Sequence, residues 1–178
     1  MVLIVINSLT ILVDYGQDGI IHFVNLCLQF GGEFMKWIYD DGGRSKYYQK
    51  ENVNDCVCRS IAIVTGRDYK EIYDLINKYA EEYRQVNPDD NSHARLGVSK
   101  DLTYKILTDL GFKWITKMYF GKGCTCHLRD GELPKKGRLI VSVSKHLTAV
   151  IDGNVHDIYD CTRNGKRCVY GYFIKETA

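Results

Sequence analysis

The hydrophobic period of this chain changes once, at residue 112, and that change restricts the folds open to it. Before it, apolar residues recur at helical spacing. Ile72, Leu75, Ile76, Tyr79, Ala80 and Tyr83 mark one amphipathic face, and Leu102, Ile106, Leu107 and Leu110 another. After it, Phe112, Trp114, Thr116 and Met118 alternate with Lys113, Ile115 and Lys117, as on a half-buried strand. Segments 138–144, 146–152, 155–159 and 168–174 read as four more strands. Helices first and strands after predict an α+β domain with an antiparallel sheet, because a wound parallel sheet needs the two to alternate.

Local signals set the helix ends. Asn54 or Asp55 is placed to cap a short apolar helix over 55–65, and Gly66 to stop it. Asp68-x-x-Glu71 opens the second helix like a capping box, and Asn87-Pro88 ends it before a polar loop at 88–92. Ser99 caps the third helix and Gly111 closes it. Segment 121–137, rich in glycine and charge and holding Pro134, is expected to be a long loop. No internal repeat is visible.

The first 35 residues contain no Lys or Arg and three acids, Asp14, Asp18 and Glu33. The remainder holds 24 basic and 19 acidic residues, a net +5. This break divides the 178 residues into a tail, 1–34, and one domain, 35–178. The apolar run at 2–13 lacks a basic leader region and a small-residue cleavage site, and it is too short for the roughly 20 residues that span a bilayer. It reads as a short strand or loose tail. Gly31-Gly32-Glu33 is encodable by a purine-rich run resembling a ribosome-binding site just ahead of Met35. The expectation is therefore that Met35 is the start and 1–34 upstream read-through, which mass spectrometry of the native N-terminus would test.

Seven cysteines without a secretory leader read as reduced thiols in a cytoplasmic protein, with metal binding as the rival use. A nucleophilic thiol needs a lowered pKa, a base within reach and a group that orients the base. Cys56 lies at a helix N-terminus, where peptide dipoles favour a thiolate and free N–H groups favour an oxyanion. Cys58, roughly 200° further round the helix, faces elsewhere and is expected in the core. The base is expected from the strands. Asp152-Gly153 is a strong two-residue hairpin turn, which pairs Ile151 with Asn154, Thr148 with Asp157 and His146 with Tyr159. Asp157 is then diagonal to His146 on the same face, whereas His156 and Asp160 fall on the other and are read as structural. The order Cys56, His146, Asp157 is that of papain-like thiol hydrolases.

Several segments carry a resemblance. Residues 35–44 (MKWIYDDGGR), 54–66 (NDCVCRSIAIVTG), 146–157 and 167–172 look like a family of small phage and prophage proteins, mostly hypothetical, similar to papain-like cysteine peptidases. Members commonly begin at a methionine matching Met35, and the resemblance leaves the tail unmatched. It implies a papain-like fold and a cysteine-dependent hydrolase acting on a peptide or amide: a peptidase, amidase or deamidase. Cys56 would be nucleophile, His146 base and Asp157 orienter, with no cofactor, inside a bacterial host cell. Papain-like enzymes also place a Gln several residues before the nucleophile for the oxyanion hole. Gln49 is seven residues upstream and is the candidate, with an ordinary exposed glutamine as its alternative.

Bland readings stand beside these. Cys56 alone fits a small buried apolar residue, His146 a strand histidine and Asp157 a solvated acid near a turn. Cys124-x-Cys126-His127 with Cys161 and Cys168 suggests a zinc-stabilised binding domain, though a one-residue gap in extended chain points two thiols apart. A catalytically silent module that engages a host protein is the remaining rival. Lys135-Lys136 and the basic residues of 163–167 lack interleaved aromatics, and no glycine-rich phosphate loop follows a strand. Neither nucleic acid nor membrane is expected as a partner.

Overall fold

Residue 112 is the join between helices and sheet in the computed structural model, which describes residues 2–6, 9–15, 21–24, 35–49 and 53–175. The chain divides into two compact units, Met1–Glu33 and Phe34–Ala178. In the first, β1 (Val2–Ile6), β2 (Leu9–Tyr15) and β3 (Ile21–Val24) pair antiparallel in chain order. The apolar run at 2–13 thus supplies two paired strands.

The second unit opens with β4 (Trp37–Tyr39) and continues through α1 (Cys56–Thr65), α2 (Tyr69–Arg84) and α3 (Lys100–Asp109). Five strands follow: β5 (Lys113–Thr116), β6 (Arg138–Val143), β7 (His146–Ile151), β8 (Asn154–Asp157) and β9 (Val169–Ile174). They form a six-stranded sheet in the order β4-β8-β7-β6-β9-β5. The unit is α+β, but the sheet is mixed, not antiparallel as expected, because β4 joins β8 in parallel. A parallel neighbour needs a long connection, and three α-helices and three strands lie between β4 and β8 in the chain.

Helix ends follow the local chemistry with two departures. Gly66 stops α1 at φ 70°, a left-handed conformation that suits glycine. The side chains of Asp68 and Ser99 accept from the backbone N–H groups of Lys70 and Leu102. Glu71, however, pairs with Arg67 instead of closing the capping box. Asp55 sits at the α1 N-cap but makes no side-chain cap bond. It is fully buried, and its carboxylate takes the stronger donors around it, the Arg59 guanidinium and the Tyr69 hydroxyl at 2.8 Å.

Two apolar clusters sandwich the sheet. One joins Val57, Cys58, Ile61 and Ala62 of α1 and Ile72, Ile76, Leu102 and Ile106 of the other helices to Ile140, Ala149 and Phe173. The second holds Leu139, Val141, Val150 and Val155 with Met35, Leu128 and Cys161. Alternate strand residues thus feed both clusters, so β6 and β7 are buried on both faces. The cysteine reading needs correction here. Cys124 and Cys168 are joined by a disulfide, whereas Cys56, Cys58, Cys126 and Cys161 are free and Cys27 lies outside the described residues. Backbone bonds from Val169 to Cys126 and from Leu128 to Arg167 lay the 124–128 stretch beside 167–169 and bring the two sulfurs together. A separation of 44 residues left no sign of this in the sequence. Among the described residues no helix is long and apolar enough to cross a membrane.

Candidate functional site

The Asp152-Gly153 turn forms as its residues demand, with φ 46° and 77°. It fixes the register Ile151↔Asn154 and Ala149↔His156, which carries His146 and Asp157 to one face. The Nε2 of His146 lies 2.7 Å from Oδ2 of Asp157. Asp157 is nearly buried, and every side of it is held: Oδ1 accepts from Arg59 at 3.1 Å and from the Ile158 N–H at 2.8 Å. Its backbone carbonyl accepts from the Trp37 indole at 3.0 Å and the Asp40 N–H at 3.1 Å. A carboxylate so fixed can present one oxygen to the imidazole in one orientation only.

Cys56 is the first residue of α1 and half-buried, with a backbone N–H that has no partner inside the helix. Burial pushes its thiol pKa up. The hydrogen bond and charge of His146, the Leu147 N–H and the Arg59 cation outweigh that, and the thiol sits below its ordinary value. Burial likewise disfavours a charged His146. Hydrogen bonds to Asp157, Cys161 and Cys56 and the Asp157 charge prevail, and its pKa is pushed up to about 12. Asp157 is lowered, because His146 and Arg59 overcome its desolvation. The three groups therefore favour thiolate, imidazolium and carboxylate together. Cys58 behaves oppositely. It is wholly inside the core, and burial pushes its thiol up to about 12.

The site opens on a cleft of about 580 Å³, lined on one side by Cys56, Val57 and Arg59 and on the other by Ser142, Lys145, His146 and Leu147. Its apolar wall includes Tyr104, Trp114 and Phe173, with ring centroids 4.7–5.1 Å apart. Trp114 lies across β9 at Gly171, where a Cβ would stand 2.3 Å from the indole, so only glycine fits. A bulge beside Ser142 and Val143 leaves Tyr170 at the cleft. The ring of Tyr159 covers His146 at 5.2 Å.

Gln49 is exposed and does not line the cleft; Asn54, two residues before Cys56, does. His156 pairs with Asp40 at 3.1 Å, and Asp160 accepts from the Thr162 N–H. The five residues considered for zinc do not converge. Cys124 and Cys168 are oxidised, His127 faces Glu132, and Cys161 lies instead with His146 and Asp157. Ligand atoms of those last three are within 4.8 Å of one another, but the His146 nitrogen and both Asp157 oxygens are already engaged.

Sequence reasoning missed Arg59 and Cys161. A signal existed for Arg59: it is the only charged residue in the apolar stretch 56–65, four residues after Asp55, the spacing of a helical ion pair. Cys161 was read only as a zinc candidate, and nothing in the sequence placed it beside His146 and Asp157. Comparison with known proteins finds no matching family model, no matching curated protein and no matching solved structure.

Proposed function

We propose that the protein is a cysteine-dependent hydrolase of papain-like type, acting on a peptide or other amide. One observation carries the reading: a thiol at a helix N-terminus, lowered in pKa, shares an open cleft with a histidine whose far nitrogen is fixed 2.7 Å from a buried carboxylate. In the reaction, the Cys56 thiolate attacks the carbonyl carbon and the oxygen takes the negative charge, stabilised by the free Cys56 N–H. The His146 imidazolium then gives its proton to the departing amine as the C–N bond breaks, leaving a thioester on Cys56. Water attacks this thioester, giving its proton to His146, and the acid leaves as the thiolate–imidazolium pair is restored. Asp157 holds the imidazole in one tautomer and balances its charge throughout.

Labelling with a thiol-directed electrophile tests the reading. Cys56 is expected to react first, and Cys56→Ala to abolish the fast phase. If all free cysteines of the folded protein react at one rate, the site holds no activated thiol, and a silent interaction module is the better account.

A further inference from the structure

We infer that the cleft selects an acidic peptide: an acyl donor with a glutamate or aspartate beside the residue whose carbonyl is attacked. The inference rests on the thiol-hydrolase reading and names its substrate class. Of the cleft's lining residues, Arg59, Lys100 and Lys145 are cations, the His146 imidazolium is balanced by the Cys56 thiolate, and none is a carboxylate. Arg59 is spent, bound to Asp55 and Asp157. Lys100 and Lys145 are exposed and have no ion-pair partner among the described residues. Asp101 and Asp160 adjoin the lining residues Lys100 and Tyr159 but are exposed outside the cleft lining, where solvent and salt screen them. Asp55 and Asp157 are buried and neutralised by arginine and histidine inside the domain.

Both lysines stand where local structure favours another residue. Lys145 occupies the tight turn between β6 and β7 at φ 56°, a left-handed conformation suited to glycine or asparagine. Lys100 is the first residue of α3, where the helix dipole favours an acid and a cation is penalised. Departures of this kind concentrate at functional positions. Their common result is one-signed potential over an apolar cleft. Such a field attracts an anionic ligand and repels a cationic one, and salt weakens it. The apolar wall formed by Tyr104, Trp114 and Phe173 excludes water on one side, which strengthens the attraction.

Three peptidyl vinyl sulfones test this, identical except for a glutamyl, glutaminyl or lysyl residue immediately before the residue that carries the electrophile. Each forms a thioether when Cys56 Sγ adds to the vinyl β-carbon and the α-carbon takes a proton, so labelling rate reports productive binding. At low ionic strength the glutamyl probe is expected to label roughly tenfold faster than the glutaminyl and faster still than the lysyl, with the gap shrinking in high salt. In Lys100→Gln/Lys145→Asn, the glutamyl-to-glutaminyl ratio should fall at least threefold; asparagine tolerates the left-handed turn. Should that variant fold poorly, salt dependence in the unaltered protein decides alone. Iodoacetamide, small and neutral, separates the two claims. Selective labelling of Cys56 by iodoacetamide with equal rates for all three peptides, or none, overturns the acidic-substrate inference and leaves the thiol reading standing. Indiscriminate alkylation by iodoacetamide overturns the thiol reading and this inference with it.

Discussion

Among the described residues a cysteine, a histidine and a carboxylate come together in two places, and the two arrangements shift the thiol pKa in opposite directions. At the cleft, Cys56 meets His146, and Asp157 lies behind the imidazole. In the 121–137 loop, Glu132 accepts from the His127 backbone and lies 3.3 Å from its ring, and the buried Cys126 thiol points at the Glu132 carbonyl at 3.6 Å. The residue types are the same. What differs is the sign of the charge nearest sulfur. Cys56 faces an imidazole and an arginine, and its pKa drops in spite of burial. Cys126 is raised by burial and then further by the Glu132 carboxylate. Proximity of the three groups is therefore insufficient; the histidine must stand between sulfur and carboxylate.

The comparison breaks most easily at the histidines. His146→Ala is expected to slow alkylation of Cys56 by about 100-fold or more at neutral pH, whereas His127→Ala should leave it unchanged. Equal effects in rate measurements would mean that neither geometry matters. Next in size is Arg59→Met, which strips Asp157 of a 3.1 Å partner and removes a cation near Cys56. A loss of roughly tenfold in Cys56 reactivity is expected, with partial recovery in Arg59→Lys, which keeps the charge but not the fork. Full recovery by lysine would reduce Arg59 to a simple point charge.

Glu132→Gln sharpens the other half. Removing that carboxylate takes away one of the causes that raise Cys126, so its reaction with a small disulfide reagent in mildly denaturing buffer should quicken a few-fold. The smallest effect is expected for Gln49→Ala. Exposed and outside the cleft lining, it should change Cys56 labelling by less than about twofold; a tenfold loss would restore it as an oxyanion donor.

What was legible in the sequence was short-range. The Asp152-Gly153 turn fixes register by itself, and register places His146 and Asp157 on one face, so that pair follows from residues eleven apart. The α1 terminus was equally local, since Gly66 and the apolar run 57–64 need no partner to be recognised. The missing parts all depend on distant chain. Trp37 reaches Asp157 only because β4 returns beside β8, and Cys124 meets Cys168 only because a long loop folds back along β9. Asp55 holds the N-cap position but makes no cap bond: the i,i+4 spacing to Arg59 was local, whereas the Tyr69 hydroxyl that completes its burial comes from the next helix.

The ultraviolet thiolate signal of Cys56, taken as the difference between the unaltered protein and Cys56→Ser across pH, bears on the central claim most directly. With sulfur lowered and imidazole raised, the ion pair exists between the two pKa values. The thiolate signal should persist below the ordinary thiol value near 8.5 and disappear only as pH falls through the lowered one. In His146→Ala, the same signal should move upward. A Cys56 that ionises at or above the ordinary value, and does so equally with His146 removed, would contradict the account.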